Sequence, residues 1–176
     1  MPITYEPIAT TTLGSAAADV TFSSISGSYT DLILSFSNVK MASGTDTAIN
    51  FQVGNGSVDT GSNYSFTIMG ARSASSTPFS NRLDNTTTGR SNWYTSITTS
   101  QAGISLMHFM NYSNTTTYKT ILTNSRVDPG DANYSGVETI VNLWRSTSAI
   151  NTIKVMPNSG NFATGSMFTL YGIKSA

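Results

Sequence analysis

The sequence has no cysteine, one histidine (His108) and only two glutamates, Glu6 and Glu138. Without Cys there is no disulfide scaffold and no thiolate-held metal. One His among sparse carboxylates leaves a catalytic zinc site short of its three protein ligands. Charged residues make up 10% of the chain, nine Lys plus Arg against nine Asp plus Glu, where about 25% is ordinary. Phosphate neutralisation needs clustered basic residues, so nucleic acid is excluded as the main partner. No apolar run approaches the ~18 residues of a membrane helix, and no membrane partner is expected. Residues 1–13 carry neither a basic segment nor an apolar core, so no secretory signal is read there.

Ser and Thr replace the missing charge, at roughly 30% of the 176 residues. A disordered polar chain would be poor in aromatic and β-branched residues. This one has eight Phe, eight Tyr and two Trp, together with many Ile, Val and Thr, which is strand composition. Length predicts one domain. It is taken to span residues 20–176, with residues 1–19 as an N-terminal arm or edge strand.

Alternating segments recur between turn signals. Leu32, Leu34 and Phe36 share one face of the stretch 30–39. Ile49, Phe51 and Val53 alternate with Asn50 and Gln52, and Tyr64, Phe66 and Ile68 with Ser65 and Thr67. Residues 104–112 are apolar on both faces, Leu106 and Met110 against Met107 and Phe109, which predicts a strand buried on both sides. Further strands are expected at 118–123, 137–144, 150–155 and 167–173, and weaker ones at 19–25 and 93–99. Gly54-Asn55-Gly56, Asp128-Pro129-Gly130-Asp131 and Pro157-Asn158-Ser159-Gly160 supply the reversals. The stretch 71–91 holds three of the five Arg (Arg72, Arg82, Arg90) and reads as a long surface loop or arm. Period two with short strands predicts an all-β protein, a two-sheet antiparallel β-sandwich of jelly-roll type with an extended N-terminal arm.

Candidate chemistry is sparse. His108 reads as a hydrogen-bonded core or interface residue. Asp128 and Asp131, with Asn133 nearby, lack the carboxylate density of a calcium loop. No Gly-x-Ser-x-Gly elbow and no Gly-x-x-x-x-Gly-Lys loop occurs. Glu138 lies opposite Val137, Thr139 and Val141, and reads as a solvated or interface-paired charge. No catalytic residue, metal or cofactor is expected, and no dependence on divalent ions. Trp93 and Tyr94, preceded by Arg90, form a possible flat platform for a glycan, and Trp144 with Arg145 a second, although aromatics in a two-sheet protein mostly serve the core. Six Asn-x-Ser/Thr sequons arise from composition and predict no glycan.

Several tracts carry a resemblance: 5–18 (YEPIATTTLGSAAA), 20–25 (VTFSSI), 29–32 (YTDL), 109–120 (FMNYSNTTTYKT), 143–153 (LWRSTSAINTI) and 160–174 (GNFATGSMFTLYGIK). Together they resemble a family of virion structural proteins from tailed phages, often of aquatic bacteria. The resemblance covers most of the chain, least in 71–91. It implies a component of the phage particle, assembled in the host cytoplasm, and brings no catalytic residues.

The expected function is therefore a non-enzymatic capsid decoration (cement) protein on the outer capsid surface. It would contact the major capsid protein and itself, as a homotrimer. Ile3, Tyr5, Ile8 and Leu13 are the expected capsid or subunit contacts, made by an arm that gains order by strand addition to a neighbour. The alternative is a tail-fibre or receptor-binding module that holds a host surface glycan at Trp93 and Tyr94.

Overall fold

The computed structural model describes residues 5–44, 47–73, 75–127 and 135–174. Ile3, Asp128, Asp131 and Asn133 lie outside them. Among the described residues the secondary structure is entirely β. The strands are β1 (Tyr5–Thr12), β2 (Val20–Phe22), β3 (Asp31–Val39), β4 (Ile49–Asn55), β5 (Ser57–Val58), β6 (Tyr64–Arg72) and β7 (Ser75–Thr86). They continue as β8 (Gly89–Arg90), β9 (Gly103–Phe109), β10 (Lys119–Val127), β11 (Gly136–Trp144), β12 (Thr152–Pro157) and β13 (Met167–Ile173).

Two antiparallel sheets result. The larger has eight strands in the order β1-β13-β3-β9-β10-β11-β6-β7. The smaller runs β2-β12-β4-β5, with β8 also paired to β4. Because β5 and β8 pair with different stretches of β4, the smaller sheet is only about half as wide as the larger. Inward residues of both sheets meet in one core cluster. Leu34, Phe36, Phe109 and Phe168 come from the larger sheet, and Phe51, Val53, Ile153 and Val155 from the smaller. Phe51 stands edge-on to Phe109, with ring centroids 6.0 Å apart. Tyr64 ties the layers by a polar route. From β6 its hydroxyl accepts the Val53 N–H at 3.0 Å and donates to the Asp59 carbonyl at 2.9 Å. Gly89 is required where it stands, because a Cβ there would lie 2.2 Å from the Phe51 ring.

Several sequence expectations change. Residues 71–91 are not a long surface loop. They complete β6 and form β7, an antiparallel hairpin at the edge of the larger sheet, and then β8, which pairs with β4 of the smaller sheet. β7 escapes the alternation test because an edge strand is exposed along much of its length, and only Phe79 and Leu83 are apolar and packed. Residues 93–99 form no strand beyond a single bridge between Ile97 and Thr47. Residues 5–12 pair in register with β13 of the same chain, interrupted by a bulge between Pro7 and Ala9. They are an edge strand and not an arm standing off the body. β9 is buried on one face only: Met107 and Phe109 are inside, while Ile104 and Leu106 are 52% and 49% exposed. The turns at Gly56 and Gly160 do take positive φ, 82° and 72°.

Replacing Tyr64 by Phe strands the Val53 N–H inside the protein, where an unmet buried donor costs about 1–3 kcal/mol. Urea unfolding of Tyr64→Phe is expected to show an unfolding free energy lower by that amount, as a lower midpoint with an unchanged slope. An unchanged midpoint would mean that the hydroxyl does not join the layers.

Candidate functional site

The larger sheet extends past the smaller one on the β6–β7 side, and its inner face there needs another cover. Phe66, Ile68 and Ile140 form a second small cluster, closed by Phe79, Leu83, Trp93 and Tyr94. The last two belong to the segment 91–98, which lies over the inner face as irregular chain. Irregular backbone placed inside a protein must have its N–H and C=O groups met, and polar side chains on the inner face of the larger sheet do this.

Glu138, 3% exposed, is the principal anchor. Its Oε2 accepts the Trp93 N–H at 2.8 Å and its Oε1 accepts the Thr95 N–H. Four residues along β11, the Asn142 side-chain amide pairs with the backbone of Arg90. It accepts the Arg90 N–H at 2.8 Å and donates to the Arg90 carbonyl at 3.0 Å. Ser91 and Ser105 share a hydroxyl contact of 2.8 Å, and Asn92 bridges the Ile49 N–H and the Thr95 carbonyl. Burial pushes the Glu138 carboxyl above its ordinary value, against the opposing pull of these backbone donors. The reading of Glu138 as a solvated or interface-paired charge is therefore overturned: the carboxylate faces inward, and Val137, Thr139 and Val141 face outward.

That inversion creates the second feature. Across the outer face the registers align Val141 with Leu122 and His108, Thr139 with Asn124 and Leu106, and Val137 with Arg126 and Ile104. On the far side of β11, Thr139 meets Met69 and Val137 meets Ala71. Met69 is 65% exposed, Val137 56% and Val141 47%. Shallow depressions run between these side chains, one of about 420 Å³ beside Ala71, Arg126 and Val137. A second lies among Ile104 and Leu106 of β9, Asn124 and Arg126 of β10 and Val137 of β11, so polar side chains of β10 stand between the apolar residues of β9 and those of β11. His108 is on this same outer face, not in the core. Its Nε2 lies 2.9 Å from Asp31 Oδ2, while Asp31 Oδ1 accepts the Asn111 N–H at 2.7 Å.

The structure separates the expected contact residues. Ile8 and Leu13 are part-buried against the chain's own core, whereas Tyr5 is exposed. Trp93 and Tyr94 are adjacent, with ring centroids 6.1 Å apart, but each ring already has two partners. Trp93 packs on Phe66 at 5.3 Å with the Arg90 guanidinium 4.8 Å from its centre. Tyr94 meets Phe79 at 4.4 Å with Arg72 at 5.0 Å. A sugar stacking there would have to displace one of these contacts. Trp144 is 3% exposed and donates its ring N–H to Asp59 at 2.8 Å, so it offers no platform. Among the described residues no three His, Asp or Glu side chains gather as metal ligands, and no helix is long and apolar enough to cross a membrane.

Sequence reasoning found the outer apolar residues of β9 and missed those of β6 and β11. The available signal was β11 itself, where Val137, Val141 and Leu143 alternate with Ile140 and Trp144, apolar on both faces. No family model, curated protein or solved structure matches the chain.

The Glu138 anchor gives a signed pH effect. A carboxyl held above its unfolded value binds its proton more tightly in the native state, so its contribution to stability is full below the unfolded pKa and is lost as pH rises through the folded one. Gln at 138 turns an NH2 toward one of the two backbone donors, at a cost of about 1–3 kcal/mol. In urea titrations, Glu138→Gln is expected to be less stable than wild type, with the wild-type margin shrinking from pH 4 to pH 7. A margin that grows over this range would show that the backbone donors outweigh burial.

Proposed function

We propose that this chain is a non-enzymatic structural protein of a tailed-phage particle, a decoration protein that binds the outer capsid surface and stabilises the shell. The observation that carries the reading is the outer face of the eight-stranded sheet, where Met69, Ile104, Leu106, Val137 and Val141 stand exposed together. Exposed apolar areas of this extent mark contact surfaces. The phage-like tracts at both ends and in the middle of the chain supply the assembly in which such contacts are made. The two sheets sharing one core support a jelly-roll-like sandwich, a body that presents broad faces for packing between neighbours.

Residues 5–12 keep a role in this proposal. One edge of β1 is engaged by β13, and the other is the rim of the sheet. The backbone groups on that rim suit strand addition by the major capsid protein, with Pro7 contributing no N–H donor. Each bound copy then stabilises the closed particle by mass action, since it binds the shell and not the dissociated subunits.

Copy number tests the proposal. Quantitative mass spectrometry of purified virions containing this chain is expected to give hundreds of copies per particle, removed together with the capsid shell. About a dozen copies that purify with detached tails would overturn decoration in favour of the fibre. Absence from purified virions would overturn the virion assignment itself.

A further inference from the structure

We infer that Asn55 is a site of spontaneous deamidation in this chain, and that the Asn151 side chain is the clasp that holds its rate down. The inference rests on the turn between β4 and β5 and is independent of the virion reading.

Asn55-Gly56 is the one Asn-Gly pair of the sequence. It closes a tight turn in which Gly54 pairs with Val58 and Asn55 with Ser57. Both Asn55 and Gly56 are exposed. Gly56 takes a φ of 82°, a region that glycine enters without steric cost. The residue that suits the turn also leaves the peptide nitrogen with no Cβ beside it.

That nitrogen is the nucleophile. The Gly56 nitrogen bonds to Asn55 Cγ and gives up its proton, the Cγ–Nδ2 bond breaks, and the Nδ2 amine leaves with the proton as ammonia. A five-membered succinimide remains. Water then adds to either of its two carbonyl carbons and opens the ring, which yields aspartate or isoaspartate at position 55. One water is consumed, one ammonia is released, and the turn gains a negative charge.

Asn151 holds both reacting groups. The Gly56 N–H donates to Asn151 Oδ1 at 2.6 Å, and Asn151 Nδ2 donates to Asn55 Oδ1 at 2.7 Å. A backbone N–H only donates, so the first bond fixes which way the Asn151 amide points, and the second fixes the Asn55 amide in turn. Asn151 is itself held in place. Its N–H donates to the Gly54 carbonyl at 2.9 Å and its carbonyl accepts the Ile25 N–H at 3.0 Å. Its Oδ1 also accepts the Thr152 hydroxyl at 3.0 Å. The bond from Gly56 is lost as soon as the nitrogen gives up its proton, and the bond to Asn55 restrains the rotation that brings Cγ over the nitrogen. A ground-state contact that the reaction must break slows the reaction.

The experiment is peptide mapping by mass spectrometry of the full chain aged for weeks in mildly alkaline buffer. Wild type is compared with Asn151→Ala, with Asn151→Asp, which keeps the acceptor for Gly56 and loses the donor to Asn55, and with a synthetic peptide of residues 50–60. Circular dichroism with a melting curve checks each fold, and Asn124-Ser125 and Asn158-Ser159 serve as internal references in the same digests. Product at Asn55 is expected to form several-fold more slowly in wild type than in the peptide. Asn151→Ala is expected to react several-fold faster than wild type at Asn55, with both references unchanged and Asn151→Asp in between. A wild-type rate equal to that of the peptide overturns the clasp, as does an Asn151→Ala rate equal to that of wild type. A slower Asn151→Ala also overturns it, because the Asn151 donor would then be activating the Asn55 carbonyl. A rise at all three asparagines together assigns the effect to general loosening and overturns it as well. No product at Asn55 in any folded protein while the peptide reacts overturns the site itself.

Discussion

The eight-stranded sheet is about twice as wide as the sheet packed against it, and this mismatch governs the rest of the structure. Where the smaller sheet reaches, the inner face is closed by aliphatic and aromatic packing around Phe51, Phe109 and Phe168. Beyond it, around Phe66, Ile68 and Ile140, closure falls to the segment 91–98. That segment is not a strand, so its backbone cannot be met by a sheet ladder. Glu138 and Asn142 take the place of the missing strand, with a carboxylate and an amide on inward positions of β11 that flank Ile140.

The same arrangement decides which side chains of β11 face outward. A strand has two faces, and β11 uses half of its inward positions for polar anchors. Its branched residues Val137 and Val141 then stand on the outside. Met69 of β6 and Leu106 and Ile104 of β9 are exposed on the same face, the last two across Asn124 and Arg126 of β10. The polar cost of closing one side and the bare surface on the other are linked through the two-residue period of the strand.

Much of the fold was legible where one face was plainly apolar. β3 and β13 follow the alternation of Leu32, Leu34 and Phe36 and of Phe168 and Leu170 with little error at their ends. β7 was invisible because an edge strand needs no buried stripe, and residues 71–91 therefore read as loop. The facing of Glu138 was inverted for a different reason. A carboxylate among valines reads as a solvent position, and nothing local announces that the donors it meets lie 45 and 43 residues upstream. The platform reading of Trp93 and Tyr94 was local in the same way. The pair and Arg90 are close in sequence, but Phe66, Phe79 and Arg72, which also occupy the rings, come from elsewhere in the chain. Buried polar anchors and edge strands are properties of the whole sheet and not of a window of sequence.

What closes the uncovered part of the wider sheet is the Glu138 carboxyl, which accepts the backbone N–H groups of Trp93 and Thr95. Amide hydrogen exchange of the full chain reads this directly in wild type and Glu138→Ala. The account predicts that the amides of residues 91–98 exchange at least several-fold faster in the variant, while those of β3 and β13 are unchanged. Equal exchange of the segment 91–98 in the two proteins would contradict it.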